Sequence, residues 1–179
     1  MADSLNLGHY EAQDIKRILG VDKNKLFYWI KTYRLLTPEV EEALGTGTRA
    51  KFSIKNLFEL AVIKEMIAVG LDLSSIKQIK DRLDRPFKKY KRNVFDYLVS
   101  SDVEDRESFL LEIRKSGTNI NISLREMKSA GISVLDYIDV WKEPEDTEIS
   151  IGKEFKSYTS FIFEIGMLAD DLLKMSKGM

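Results

Sequence analysis

The chain has 179 residues, no cysteine and a formal net charge of −1, with 44% apolar and 32% charged residues. This composition is typical of a globular protein with a buried core. The absence of cysteine excludes disulfides, thiolate metal sites and thiol nucleophiles. No apolar run approaches the roughly 20 residues of a membrane helix, and the N-terminus lacks the features of a signal peptide. We therefore expect a cytoplasmic protein that does not associate with membranes.

Charge is distributed unevenly along the chain. Residues 1–100 carry 18 Lys and Arg against 13 Asp and Glu, a net charge of +5, whereas residues 101–179 carry 10 against 16, a net charge of −6. A basic half followed by an acidic half fits a nucleic-acid-binding module joined to one that does not touch nucleic acid. Small domains also differ by a few charges by chance, so this asymmetry is only supporting evidence.

Two short helices are predicted near the N-terminus, joined by a tight turn. Apolar residues recur at helical spacing over residues 11–19, and Gly20 can take the left-handed conformation that ends a helix. Asp22 is a good N-cap for a second helix that runs to about residue 32. Leu26 and Ile30 would face the core. The opposite, open side then carries Lys23, Asn24, Lys25 and Tyr28.

The next segment predicts a hairpin and two further helices. Pro38 opens an extended stretch, and "GTGTR" at 45–49 is a flexible turn that suits a hairpin tip. Ser53 is placed to cap a helix that closes at Gly70. Another helix starts at Asp72 or Ser74 and runs to Leu83. Two helices around a tight turn, a hairpin and two more helices are the layout of a winged helix-turn-helix, which places one helix in a DNA major groove.

The remaining residues predict a smaller α+β unit. A basic, amphipathic helix is expected over residues 87–101, followed by a β-hairpin around the "SGT" turn at 116–118. A short helix is expected over 123–131, and 132–141 reads as a strand rather than a helix. Residues 142–154 are polar and predict a loop. From 159 onward the pattern is helical, although the first residues could instead form a strand that leads into the helix.

We therefore predict a mainly α chain with an N-terminal winged helix-turn-helix of four helices and a small wing hairpin. Its domains would be a DNA-binding domain at 8–84, a linking helix at 85–101, and an α+β domain for dimerisation, effector or partner binding at 102–179. The apolar helix at 166–176 is the candidate dimer contact.

The segments "LFYWIKT" and "GTGTRAKFSIKNLFELAVIKEMIAVGLDLSSIKQI" resemble the DNA-binding domain of the MerR family of bacterial transcription regulators, over about residues 8–84. The matching pieces, in chain order, are Tyr28-Trp29, Gly47-Thr48-Arg49, Phe52-Ser53 and Gly70 with Leu73, Ile76 and Ile79. Two departures stand out. Phe27 occupies a position where the family usually has Arg, so the family's base contact cannot be carried over. Tyr33-Arg34-Leu35-Leu36 replaces the usual Gly-Leu pair and is one residue longer.

Candidate DNA contacts follow from residue chemistry and from this resemblance. At the start of the recognition helix, Asn24 could pair with adenine and Lys25 with guanine, and Phe27 could press on a thymine methyl. Basic side chains must also meet phosphates, which supply most of the affinity. The predicted DNA-binding residues are Tyr10, Lys23, Asn24, Lys25, Phe27, Tyr28, Lys31, Thr46, Thr48, Arg49 and Lys51. The competing interpretations are a solvated helix start, an ordinary hairpin tip, and core packing for the Tyr28-Trp29 pair, favoured for Trp29.

The resemblance implies a sequence-specific transcription regulator that binds double-stranded DNA and resides in the nucleoid. Because one helix-turn-helix reads only a short half-site, we expect a homodimer on a near-palindromic operator. RNA polymerase or another protein is a further candidate partner. No catalytic, cofactor or metal-ligand constellation is visible, so an enzyme is not expected. Two alternatives stay open: a protein-interaction module on a winged-helix scaffold, and a DNA-architectural, excisionase-like accessory protein.

Overall fold

The N-terminal part of the chain folds into four helices, in the order predicted from the sequence. In the computed structural model, the described residues are 9–40, 49–86, 91–100, 106, 109–116, 119–128, 131–139 and 159–177. Helix α1 is Ala12–Leu19 and ends at Gly20, which has φ of +67°, a conformation that glycine adopts without strain. Helix α2 is Lys23–Phe27 and continues as a π-helical turn over Tyr28–Thr32.

Helix α3, Ile54–Ala68, is the centre of the molecule. Its N-terminus is capped as predicted, because the Ser53 hydroxyl accepts a hydrogen bond from the backbone amide of Asn56 at 3.1 Å. Most of its residues are buried, so it carries apolar side chains on nearly every side instead of on one stripe. Helix α4, Leu73–Leu83, follows after Gly70 and Asp72, and helix α5 is Val94–Val99.

The second half of the chain forms an antiparallel sheet and a final helix. The strands are β1, Phe109–Ser116; β2, Asn119–Lys128; β3, Gly131–Asp139; and β4, Thr159–Phe163. Their order is β3-β2-β1-β4, and every neighbouring pair is antiparallel. Helix α6, Ile165–Lys177, follows β4 directly. The predicted hairpin around residues 116–118 is confirmed, as are the strand over most of 132–141 and the option of a strand leading into the last helix.

Two predictions for this half are wrong. Residues 123–131 are not a helix, because β2 continues to Lys128 and pairs with β1 on one side and β3 on the other. Pairing on both edges overrides the helical preference of the local sequence. The basic helix predicted over 87–101 is also shorter: Asn93 caps α5, and Lys91, with φ of +56°, is not helical. Residues 87–90 and the loop predicted at 142–154 lie outside the described residues.

One continuous hydrophobic core joins the two halves of the chain. It extends from Tyr10 through α3 and the sheet to Leu173. Helix α6 directs Ile165, Ala169 and Leu172 into this core and packs on α3, α5 and β1. The apolar face predicted to make the dimer contact is therefore already covered within the chain. The large apolar side chains that α6 leaves exposed are Met167 and Met175, at 45% and 46%.

Polar contacts fasten the sheet to α4. The Lys115 ammonium on β1 lies 2.7 Å from a carboxylate oxygen of Asp72 and donates to the Ser75 hydroxyl at 2.8 Å. The Arg82 guanidinium on α4 donates to the Ile120 carbonyl on β2 at 2.7 Å. In the described part of the chain, none of the helices is both long and apolar enough to cross a bilayer.

Candidate nucleic-acid interface

The predicted recognition helix is α2 with the π-helical turn that extends it, Lys23–Phe27 and Tyr28–Thr32, and it presents one polar face, as the sequence predicts. Lys23, Asn24 and Lys25 are exposed at its start, and Tyr28 is 48% exposed one turn later. Leu26 and Trp29 are buried, so they fix the helix on the core while the polar face stays open. Core packing is thus the confirmed role of Trp29. Asp22 occupies the N-cap position but its side chain makes no capping hydrogen bond.

Aromatic side chains make close contacts along this face. The Lys23 ammonium lies 5.7 Å from the centroid of the Phe27 ring, within reach of a cation–π interaction. Tyr28 and Tyr33 meet edge to face, with ring centroids 5.2 Å apart. A hydrogen bond with Tyr28 raises the pKa of the Tyr33 hydroxyl. The Tyr33 hydroxyl therefore stays protonated at neutral pH and can donate to a phosphate.

A π-helical turn lies directly before the segment that departs from the resembled family. Widening one turn of a helix is the usual way to accommodate a single inserted residue, and such turns are frequent at functional sites. Here the wide turn covers Tyr28–Thr32, and the Leu35 amide then closes on the Trp29 carbonyl at 3.0 Å. Between them Arg34 has φ of +51°, the left-handed conformation that a glycine would take without strain.

Of the predicted wing, only residues 49–52 lie within the described part of the chain. Arg49 is exposed and its guanidinium donates to a Glu11 carboxylate oxygen at 2.9 Å, while Lys51 is half-buried. Phe52 pairs with Tyr10 through two backbone hydrogen bonds of 2.9 Å. The predicted contacts Thr46 and Thr48, and the hairpin tip itself, lie outside the described residues.

Tyr10 occupies a different environment from the one that the sequence led us to expect. Its side chain is 5% exposed, and its backbone is held against Phe52. Burial raises the pKa of its hydroxyl, and a hydrogen bond with Ser176 on α6 partly opposes that rise. Tyr10 thus packs the wing onto the core and links it to the last helix, so we leave it out of the proposed interface.

A cleft of about 300 Å³ opens between the recognition helix and the wing. It combines an apolar lining with two basic side chains, and its walls include Phe27, Ile30, Lys31, Arg34, Pro38 and Ala50. Lys31 was predicted as a contact from the sequence, but Arg34 was not. The only sequence signal for Arg34 was its place in the segment that departs from the Gly-Leu pair of the resembled family.

A second polar cluster lies on the sheet, away from this cleft. Glu112 is 5% exposed, accepts hydrogen bonds from Arg114 at 2.8 Å and Ser123 at 3.2 Å, and forms a second ion pair with Arg125. Burial tends to raise the pKa of Glu112, but the two guanidinium groups outweigh it and the pKa is lowered. The negative charge of Glu112 is thus compensated within the cluster. Within the described ranges, no group of three or more His, Asp or Glu side chains is placed to bind a metal ion.

Comparison with known proteins assigns the helical segment to a family. Residues 10–83 match the family model described as "MerR HTH family regulatory protein". This segment is therefore similar to a MerR-type helix-turn-helix domain. The match begins at the wing-anchoring Tyr10 and ends at the last residue of α4, so it contains the recognition helix, the cleft and α3.

Three relatives have similar sequences over part of the chain. Uncharacterized HTH-type transcriptional regulators of Mycobacterium bovis and of two strains of Mycobacterium tuberculosis are each 28% identical to this chain over 74 residues. The aligned segment is 41% of this chain and 32% of each relative. The chain thus matches about a third of the length of these curated relatives, and the sheet and α6 lie outside the family match.

Proposed function

We propose that this protein is a sequence-specific DNA-binding transcription regulator of the MerR type. The observation that carries the proposal is the exposed polar face of the recognition helix inside a MerR-type domain. Lys23, Asn24 and Lys25 are exposed at the N-terminal end of that helix, where a helix lying in the major groove makes its base contacts. The names of the mycobacterial relatives, which describe HTH-type transcriptional regulators, support the same reading.

Exposed cations flank the base-reading residues on both sides. Lys31 lies at the C-terminal end of the recognition helix, and Arg49 lies on the wing. Cations in these positions would neutralise phosphates beside the groove that the helix enters, which gives affinity and fixes the orientation of the domain. Glu11 holds Arg49 in place at 2.9 Å, and an exposed ion pair of this kind costs little to exchange for a phosphate.

We further propose that the protein acts as a homodimer on a near-palindromic operator. A single recognition helix reads only a few base pairs, so two copies related by a two-fold axis are needed for a useful specificity. The buried face of α6 is unavailable for that contact. RNA polymerase or another protein could then read the bound dimer, and residence at the nucleoid follows from DNA binding.

Binding to a pool of genomic DNA fragments at two salt concentrations tests this function. Wild type should enrich a two-fold symmetric motif, and binding should weaken with salt and in the Lys25→Ala/Arg49→Ala double variant. The matched control is Lys64→Ala/Arg85→Ala, which removes one exposed Lys and one exposed Arg outside the predicted interface. The control should bind as wild type does.

Two other results would point elsewhere. No enrichment would contradict the proposed regulator function and favour a protein-interaction module on the same scaffold. Weak binding that is equal in wild type and in both double variants would have the same meaning. Cooperative coating of many adjacent sites without a symmetric motif would instead favour an architectural, excisionase-like role.

A further inference from the structure

We infer that Arg34, together with Lys31, forms a binding site for one backbone phosphate of DNA in the cleft between the recognition helix and the wing. This inference rests on the DNA-binding function proposed above and adds to it a residue outside the recognition helix. Three observations carry it: the backbone conformation of Arg34, the chemistry of the cleft, and the position of the cleft between two elements that approach DNA.

The backbone of Arg34 is the first observation. Among the described residues, only Arg34 and Lys91 are non-glycine residues with positive φ, at +51° and +56°. A side chain in the left-handed region is strained, and such residues persist where the surrounding structure holds them and concentrate at ligand-binding sites. Glycine would adopt this conformation freely. An arginine at this position therefore suggests that its side chain has a role that outweighs the strain.

The chemistry of the cleft is the second observation. Lys31 and Arg34 are the charged residues in its lining, and Phe27, Ile30 and Pro38 supply apolar walls. Neither cation forms an ion pair with another described residue. Apolar walls lower the local dielectric constant and strengthen the attraction of the two cations for an anion. The planar guanidinium of Arg34 can bind two phosphate oxygens at once, whereas Lys31 adds a point charge.

The position of the cleft identifies the anion. When the recognition helix lies in the major groove and the wing meets the neighbouring minor groove, a strand of phosphates runs between the two elements. The cleft is bounded by the recognition helix at Phe27 and by the wing at Ala50, so it faces that strand. A phosphate seated there would hold the domain in register while carrying no sequence information itself.

Arg34→Gly gives an experiment in which stability and binding move in opposite directions. The variant removes both the cation and the backbone strain, so we expect its Tm to rise. Its affinity for a duplex that wild type binds should fall about tenfold, and the slope of log K against log salt should become shallower by about 0.9. Fluorescence anisotropy over a salt series measures both quantities, and thermal unfolding gives the Tm.

Lys91→Gly is the matched control. It relieves the same kind of backbone strain and removes one cation, but residue 91 lies before α5 and outside the cleft. Its Tm should rise in the same way, with unchanged affinity and salt slope. Arg34→Lys should keep the slope of wild type and lose part of the affinity, because the charge remains and the planar fork does not.

The possible failures are distinguishable. If wild type and Arg34→Gly bind the duplex equally, with the same slope, the phosphate site is overturned and the proposed function stands. An equal loss in Lys91→Gly would also overturn it, because the effect would then follow net charge alone. If wild type binds no duplex at all, both the site and the proposed function fail.

Discussion

The ammonium of Lys80 on α4 lies 3.1 Å from a carboxylate oxygen of Glu59 on α3, and both side chains are buried. The other Glu59 oxygen accepts a hydrogen bond from the side-chain amide of Asn56 at 2.9 Å, and the same amide donates to the Thr37 carbonyl at 3.1 Å. Lys80 further lies 4.9 Å from the centroid of the Phe95 ring on α5. This network joins the segment after the recognition helix to three helices of the core.

Removing only one partner of this pair should destabilise the fold strongly. Lys80→Met leaves the Glu59 carboxylate buried without its counter-ion, and we expect the free energy of unfolding to fall by about 3 kcal/mol. The double variant Glu59→Leu/Lys80→Met leaves no uncompensated buried charge, because Asp84, the other partner of Lys80, is partly exposed, and it should recover most of that loss. Urea unfolding of wild type, the single variant and the double variant at pH 7 measures all three free energies.

The same single variant should depend on pH in a defined direction. Burial raises the pKa of Glu59 above its ordinary value near 4.5, and Lys80 opposes that rise. Without Lys80 the folded-state pKa is higher still, so stability is retained below pH 4.5 and is lost as pH rises through the folded value. The deficit against wild type should be smaller at pH 4 than at pH 7. An equal deficit at both values would mean that lost packing, not charge, causes the destabilisation.

The sheet contact with α4 should show the opposite pH dependence. The hydrogen bond from Lys115, with those from Ser75, lowers the pKa of Asp72 well below its ordinary value. A lowered carboxyl pKa stabilises the fold above the unfolded value, near 3.8, and this contribution is lost as pH falls below it. Lys115→Met should therefore cost about 0.5–1 kcal/mol at pH 7, as expected for a partly exposed pair.

Urea unfolding of wild type and Lys115→Met at pH 7, 5 and 3 checks this second pair. The two proteins should differ at pH 7 and 5, and the difference should shrink at pH 3. Lys77→Met is the control, because Lys77 forms a comparable exposed pair with Asp81 inside α4 alone. A difference that persists unchanged at pH 3 would contradict the assignment to Asp72.

Features that depend on a few neighbouring residues could be predicted from the sequence. The end of α1 at Gly20, the caps at Ser53 and Asp72, and the buried Trp29 all follow from local chemistry and helical spacing. The continuation of β2 as a strand beyond residue 122 could not be predicted in this way. Its last residues are held by two flanking strands, and β3 begins only at Gly131, beyond the local sequence that favours a helix.

In the candidate interface, too, some features follow from the local sequence and others depend on distant residues. The exposure of Lys23, Asn24 and Lys25 follows from the spacing of Leu26 and the next apolar residues, so it could be predicted. The burial of Tyr10 could not, because it results from a backbone pairing with Phe52, more than 40 residues away. The cleft at Arg34 depends on the wide turn before it and on the approach of the wing, neither of which has a local sequence signature.

The start of α6 gives a test of close packing. A methyl group at Gly166 would overlap the backbone carbonyl oxygen of Arg106, so Gly166→Ala must displace α6 or the segment before β1. We expect a loss of about 3 kcal/mol or more. Gly70→Ala is the matched control, since its added methyl meets nothing within 4 Å and carries only the strain of φ at +87°. In thermal unfolding, Gly166→Ala should melt well below Gly70→Ala; similar melting temperatures would contradict the clash.

Phe27 gives a test of how the recognition helix reads sequence. It stands where the resembled family usually has Arg, and its ring is half-buried beside Lys23 and the cleft. An apolar ring can contact a thymine methyl but cannot bind a phosphate. Phe27→Ala should therefore relax the preference at one base pair of each half-site, by about 1 kcal/mol or more, while the salt slope stays that of wild type. Lys25→Ala, which removes a charge, should make that slope shallower. Measuring motif enrichment and the salt series on both variants separates base reading from phosphate binding. A shallower slope in Phe27→Ala would mean that the substitution disturbs neighbouring phosphate contacts instead of base reading.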